Sequence, residues 1–259
     1  FEQKLRALLE LGGPDLLVPE AELLGGFGFE IGGALYNLDT LKFYEALIAL
    51  QQAALLSVFR DGHERRVVWE IGAGWGGFAY QFKSLCPNVT YIISDFPELF
   101  LFSGVYLMTA FPTASVLFYG EQPPERLFEH WQELDFIFVP NAFLDAVTPE
   151  RLDLTTNMVS FQEMTDHQVR TYVMHAFRRK CPYLYSLNRD RSPYNREQSG
   201  VRSIIEEFYW PHEIPLLPVS YQRMLDEAPP GNGPSRLEKT KSKPDLDYKH
   251  LVGWRRLLV

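Results

Sequence analysis

The stretch of this chain best equipped for chemistry runs from Val67 to Phe82, VVWEIGAGWGGFAYQF, where an apolar run ends in the acid Glu70 and opens into a glycine-rich turn. Gly72, Gly74 and Gly76 permit a tight turn and let a ligand approach the backbone of Ala73 and its neighbours. The helix pattern that resumes at Gly77 points its N-terminal amides at the same place. A buried parallel strand feeding such a turn suits a nucleotide-type cofactor. The spacing Gly72, Gly74, Gly77 also satisfies G-x-G-x-x-G, so the glycines alone fit a nicotinamide dinucleotide equally well. Glu70 discriminates, because a carboxylate there favours a ligand with positive charge and repels a pyrophosphate. S-adenosylmethionine (SAM), with an ammonium, a sulfonium and no phosphate, meets that condition.

Further strands must bring other groups to this turn. Val89 to Ser94 (VTYIIS) reads as a second buried strand ending at Asp95 and Phe96, about twenty residues beyond the glycines, where a strand-tip carboxylate can accept both ribose hydroxyls. Capping is the alternative for Asp95, since Pro97 suits a first helical turn. A third strand spans Leu134 to Val139 and a fourth Leu154 to Val159. Open α/β sheets bind ligands at the carboxyl ends of their strands, so Ser160 and Gln162 are expected at the cofactor. Thr165 and Gln168 form a T-x-x-Q capping box for the next helix. A fifth strand, Tyr183 to Leu187, opens into a loop carrying Arg189, Asp190, Arg191, Tyr194, Asn195 and Arg196.

The chain around these strands reads as an α/β protein. Residues 1–62 form an N-terminal helical arm or lid, with a short helix over Phe1 to Leu11, a glycine-rich segment from Gly25 and a long helix from Asp39 or Thr40 to Arg60. Residues 63–259 form the cofactor-binding domain. Leu99 to Phe111 is apolar nearly all round, which predicts a helix buried against the sheet. His212 to Tyr221 and His250 to Leu258 read as two closing strands, separated by a Pro-, Gly- and Lys-rich stretch expected to be a flexible loop over 222–248. With 25 basic and 33 acidic residues the net charge is −8, which argues against nucleic acid and anionic membranes as partners. Two cysteines, Cys86 and Cys181, make neither a disulfide framework nor a zinc site, and a reduced, cytoplasmic setting follows as the expectation.

These residues together carry a resemblance. E-x-G-x-G-x-G at Glu70 resembles motif I of class I SAM-dependent methyltransferases. N-L-D-T-L-K-F-Y-E from Asn37, V-V-W-E-I-G-A-G-W-G-G, S-D-F-P-E and S-F-Q-E-M resemble, more narrowly, the bacterial sugar O-methyltransferase family over residues 25–221. Arg179-Lys180-Cys181-Pro182 stands where many class I enzymes carry P-G-G. The resemblance implies a Rossmann-like, mostly parallel seven-stranded sheet with a C-terminal antiparallel strand. It further implies SAM as cofactor with Glu70 beside its methionine end, Asn141 and Ala142 against adenine, and a sugar, sugar conjugate or other small polar molecule as acceptor.

A sugar hydroxyl is a poor nucleophile at neutral pH, so methyl transfer to it needs a general base or a metal. Glu163 and His167 by the fourth strand tip and Asp190 after the fifth are the candidate bases, and no His/Asp/Glu grouping reads as a metal site. Arg189, Arg191 and Tyr194 are candidates to hold the acceptor, with Asn37 and Asp39 reaching it from the arm. Two other classes stay open on the residues: an NAD(P)-dependent oxidoreductase, and a SAM-binding module without turnover. A homo-oligomer is compatible with all three.

Overall fold

Side chains alternate along the central strands, so each strand feeds two cores: Val68 enters one, while Val67, Trp69 and Ile71 enter the other. The computed structural model describes residues 1–192, 194–215 and 247–257. Residues 216–221 of the strand expected from His212 to Tyr221, and 222–246 of the expected 222–248 loop, lie outside the described residues.

The arm opens with α1 (Glu2–Gly12), then a hairpin of β1 (Phe29–Ile31) and β2 (Ala34–Tyr36), α2 (Leu38–Gln52) and α3 (Leu56–Arg60). The sheet units follow in order: β3 (Arg66–Ile71), α4 (Gly77–Leu85), β4 (Val89–Asp95), α5 (Phe100–Ala110), β5 (Val116–Phe118) and β6 (Phe136–Pro140). They continue as β7 (Leu154–Met158), α6 (Asp166–Arg178), β8 (Tyr183–Arg189), α7 (Val201–Glu206), β9 (Tyr209–Glu213) and β10 (Tyr248–Arg255).

The main sheet has eight strands in the order β5-β6-β4-β3-β7-β8-β10-β9. From β5 across the sheet to β8 every neighbouring pair, β5/β6, β6/β4, β4/β3, β3/β7 and β7/β8, is parallel, and β10 runs antiparallel between β8 and β9. This is the Rossmann-like methyltransferase fold, with one strand more than expected: the short SVLFY run, which periodicity leaves unplaced, adds β5 to the edge beside β6. The chain passes from β3 outward to β4 and then back across to β7, so the carboxyl ends of β3, β4 and β7 surround one crevice.

The arm is part of the same packing. Leu41, Tyr44, Leu47 and Ile48 of α2 are buried in one core with Phe78 and Phe82 of α4 and Tyr91 of β4. The expected long helix is two: it breaks at Ala54, whose φ of 57° lies in the left-handed region, and neither Gly nor Pro marks that break. Asn37, not Asp39, caps α2. Its Oδ1 accepts the Thr40 N–H at 2.9 Å, and the Thr40 hydroxyl accepts the Asn37 N–H in return. The Asn37 amide also donates to Glu20 Oε2 and to the Phe27 carbonyl, so one buried side chain pins the arm's loop to its helix. Asn37→Ala is expected to cost about 1–3 kcal/mol, the loss of a cap plus one donor to the Glu20 carboxylate, which keeps the Tyr106 hydroxyl, read from the midpoint of urea unfolding.

Candidate active site

Two adjoining cavities open at the carboxyl ends of the strands, and Glu163 lines both. The larger, about 430 Å³, is floored by Gly72 and Gly74 and walled by Ser94, Asp95, Phe96, Leu99, Asn141 and Ser160, with Met164, Gln168 and Tyr172 across from them. The second, about 340 Å³, is lined by Val159, Gln162, Glu163, Arg189, Ser192, Tyr194, Asn195 and Tyr248.

The glycine turn is set by backbone needs that only glycine meets cheaply. Gly72, Gly74 and Gly76 have φ values of 71°, 58° and 87°. A Cβ on Gly72 would run into Ser160 Oγ, whereas one on Gly74 would meet nothing within 4 Å, so Gly74 leaves open space at the cleft. Gly76 serves packing: it caps α4 and lies against Ser103 and Leu107 of α5. Ala73 is part of the turn but packs toward the core and is not among the cleft's lining residues.

Asp95 holds the turn as well as facing the cleft. Its Oδ2 accepts the Gly74 N–H at 2.7 Å and its Oδ1 accepts the Phe96 N–H at 2.8 Å, while burial raises its pKa above the ordinary carboxylate value. Asp95 thus positions the turn through Gly74 and does not cap the following helix. Beneath the cleft, Asn157 donates to the Ile71 carbonyl and accepts from Phe161 N–H and from the Asn188 amide, which locks the tips of β3, β7 and β8 together.

The expected residues divide clearly. Gly72, Gly74, Asp95, Phe96, Asn141, Ser160 and Glu163 come together in the larger cleft. Gln162, Glu163, Arg189 and Tyr194 come together in the second. Gln162 is therefore a wall of the second cavity, where its side chain accepts the Arg189 N–H and donates to the Tyr248 hydroxyl. Ala142 is exposed beside Asn141 and is not among the lining residues.

His167 is exposed on α6 and Asp190 is occupied at α7, where Oδ1 accepts the Arg202 N–H at 2.8 Å; neither is among the residues lining the two cavities. Arg191 is exposed, and Asn37 is buried as a cap. Asp39 pairs with Lys42 at 2.7 Å and accepts the Trp75 indole N–H at 3.1 Å, tying the arm to the glycine turn; neither Asn37 nor Asp39 lines a cavity.

Glu70 faces the α2 and α4 side of β3, buried, with Tyr91 Oη donating to its Oε2 at 2.9 Å; it is not among the lining residues of the cleft. Burial pushes its carboxyl up from 4.5 to about 8. The folded chain then holds a proton that the unfolded chain releases, so this group's contribution to stability is full below pH 4.5 and is lost as pH rises toward about 8. Glu70→Gln is expected to flatten that decline, as measured by urea unfolding of the ligand-free protein between pH 5 and pH 8.

Sequence reasoning missed Ile71, Ser94, Leu99, Met164, Gln168 and Tyr172 in the larger cleft and Val159, Ser192 and Tyr248 in the smaller one. Tyr248 enters because β10 pairs antiparallel with β8, which sets it directly across from Arg189; the Arg189 guanidinium lies 4.7 Å from its ring centroid. The polar loop after β8 is pinned over the strand tip. Asn195 donates to the Gln162 and Met164 carbonyls, and the Gln198 amide donates to the Phe161 carbonyl.

Charge favours some ligands of the larger cleft over others. Among the described residues that line it are two acids, Asp95 and Glu163, and no lysine or arginine. A pyrophosphate would meet two carboxylates and no countercharge there, whereas a cationic ligand is attracted. Phe96, Leu99, Met164 and Tyr172 supply the apolar surface that a flat base requires.

No family model matches the chain, and no curated protein matches it. Similar solved structures include a precorrin-6y C5,15-methyltransferase from Geobacter metallireducens GS-15, 13% identical over 79% of this chain and 87% of that one, with a TM-score of 0.43. A fibrillarin pre-rRNA processing protein from Methanococcus jannaschii is 12% identical over 92% and 86% of the two chains, with a TM-score of 0.48. Human N-acetylserotonin methyltransferase, crystallised with SAM, is 12% identical over 97% and 66%, with a TM-score of 0.41. Among the described residues no helix is long and apolar enough to cross a membrane.

Proposed function

We propose that this chain is a SAM-dependent O-methyltransferase that acts on a hydroxyl of a sugar or another small polar acceptor. The observation that carries the reading is the shared wall: Glu163 lines both a cleft suited to a cationic adenosyl ligand and a second, polar cavity beside it. Gly72 and Gly74 would hold the cofactor against backbone, Asp95 would receive its ribose hydroxyls, and Asn141 and Phe96 would border adenine. When bound, SAM supplies an electrophilic methyl group at its sulfonium.

The chain's own residues do the rest. The second cavity would hold the acceptor hydroxyl against Glu163, whose carboxylate would take its proton. Arg189, Ser192 and Tyr194 would orient the acceptor, on a loop that Asn195 pins to the Gln162 and Met164 carbonyls. Alignment of this kind can supply about 7–11 kcal/mol of barrier reduction. Incubation with methyl-labelled SAM and a panel of free and nucleotide-linked sugars tests the acceptor class. Label in an O-methyl group is the expected product, and label confined to nitrogen or carbon of other acceptors contradicts the reading. The charge of the cleft disfavours an NAD(P)-dependent oxidoreductase.

A further inference from the structure

We propose that the outer face of α5 is an interface between two copies of this chain. Leu99 to Phe111 has the composition of a buried helix, yet among the described residues only one side of α5 is covered. Ser103, Gly104, Tyr106 and Leu107 face inward, while Leu101, Phe102, Val105 and Met108 are 73%, 61%, 46% and 43% exposed. The arm's turn at Leu23–Gly25 packs beside this helix and continues the patch with Leu24, 64% exposed and with φ of 56° in the left-handed region. Phe96 bounds it at the mouth of the cleft.

Area and charge select the occupant. These side chains, with Leu23, expose on the order of 800 Å² of mainly apolar surface, about what one partner contributes to a stable complex. Monomeric proteins rarely leave a contiguous apolar patch of that size in water. No charged residue occurs from Leu99 to Gly120. A chain of net charge −8 repels its own copies over most of its surface, and this stretch brings no like charges together. Leu101, Val105 and Met108 form an i, i+4, i+7 stripe, so two α5 helices related by a twofold axis present the same knobs to each other. A net negative chain with no cation on this helix is poorly matched to an anionic membrane. The inference is independent of the methyl-transfer reading, because association is measured without cofactor or acceptor.

Sedimentation velocity of the whole chain at about 1–100 μM tests it, comparing the natural chain with a Leu101→Glu, Val105→Glu double variant. Both side chains point to solvent, so the variant is expected to keep its circular dichroism spectrum and melting temperature. The natural chain is expected to sediment as a dimer, and the variant as a monomer with association weakened by about 100-fold or more. A natural chain that stays monomeric throughout, or a variant that dimerises as tightly, overturns the proposal. Flotation of a monomeric natural chain with phosphatidylcholine vesicles would assign the face to lipid and overturn it equally.

Discussion

Glu163→Gln is expected to lower turnover by about 100- to 10,000-fold while S-adenosylhomocysteine binds within about threefold of its natural affinity. The amide keeps the shape of the wall between the two cavities and removes the proton acceptor, so the loss falls on the chemical step and not on occupancy. The measurement is kcat from initial rates with labelled SAM, set beside calorimetric affinity. His167→Asn provides the contrast, because His167 is exposed and is not among the residues lining the cavities; its turnover is expected within about twofold of the natural chain. Equal losses in both variants, or none in Glu163→Gln, would remove Glu163 from the proposed chemistry.

Substitution at the glycine turn is expected to weaken cofactor binding by two separable routes. At Gly72 a Cβ collides with Ser160 on a backbone of φ 71°, so Gly72→Ala should displace the tip of β7 as well as strain the turn. Loss of affinity of about 100-fold or more is expected there, together with a lower unfolding midpoint. At Gly74 the φ of 58° carries comparable strain, but the added carbon projects into open space at the cleft. Gly74→Ala should therefore cost about 1–2 kcal/mol of stability, less than Gly72→Ala, while still weakening the cofactor. Calorimetry with S-adenosylhomocysteine and urea unfolding, run on both variants, separate collision from occlusion.

Much of this arrangement can be read from the chain itself. The apolar runs mark the five central parallel strands, and the helix over Gly77–Leu85 has the bounds its pattern indicates. The acid at Asp95 lies by the glycines because β4 pairs next to β3 in parallel register. What sequence could not supply was which way groups face and what lies across from them. Glu70 stands one residue from Trp69 and Ile71, and period-two alternation turns it toward Tyr91 and away from the cleft's lining residues. Tyr248 is far from Arg189 along the chain and meets it only through antiparallel pairing.

Local polar residues also had two plausible uses. Asn37 and Thr40 carry a reciprocal capping signal, and the buried cap claims Asn37 before any ligand could. Asp190 sits at a strand tip, as a base would, but its carboxylate serves the start of α7. Composition misleads most at α5, where an all-apolar helix reads as buried and is half open to solvent. That discrepancy is what points to a second copy of the chain.

SAM is proposed to sit in the cleft above Gly72 and Gly74. Calorimetric titration of the whole chain with S-adenosylhomocysteine, repeated with NAD and NADP and with Gly74→Arg as control, tests it most directly. Micromolar or tighter binding of S-adenosylhomocysteine alone is expected, lost in the variant. Binding of a nicotinamide dinucleotide instead would contradict it, since that ligand would have placed its pyrophosphate against Asp95 and Glu163 with no lysine or arginine among the described lining residues.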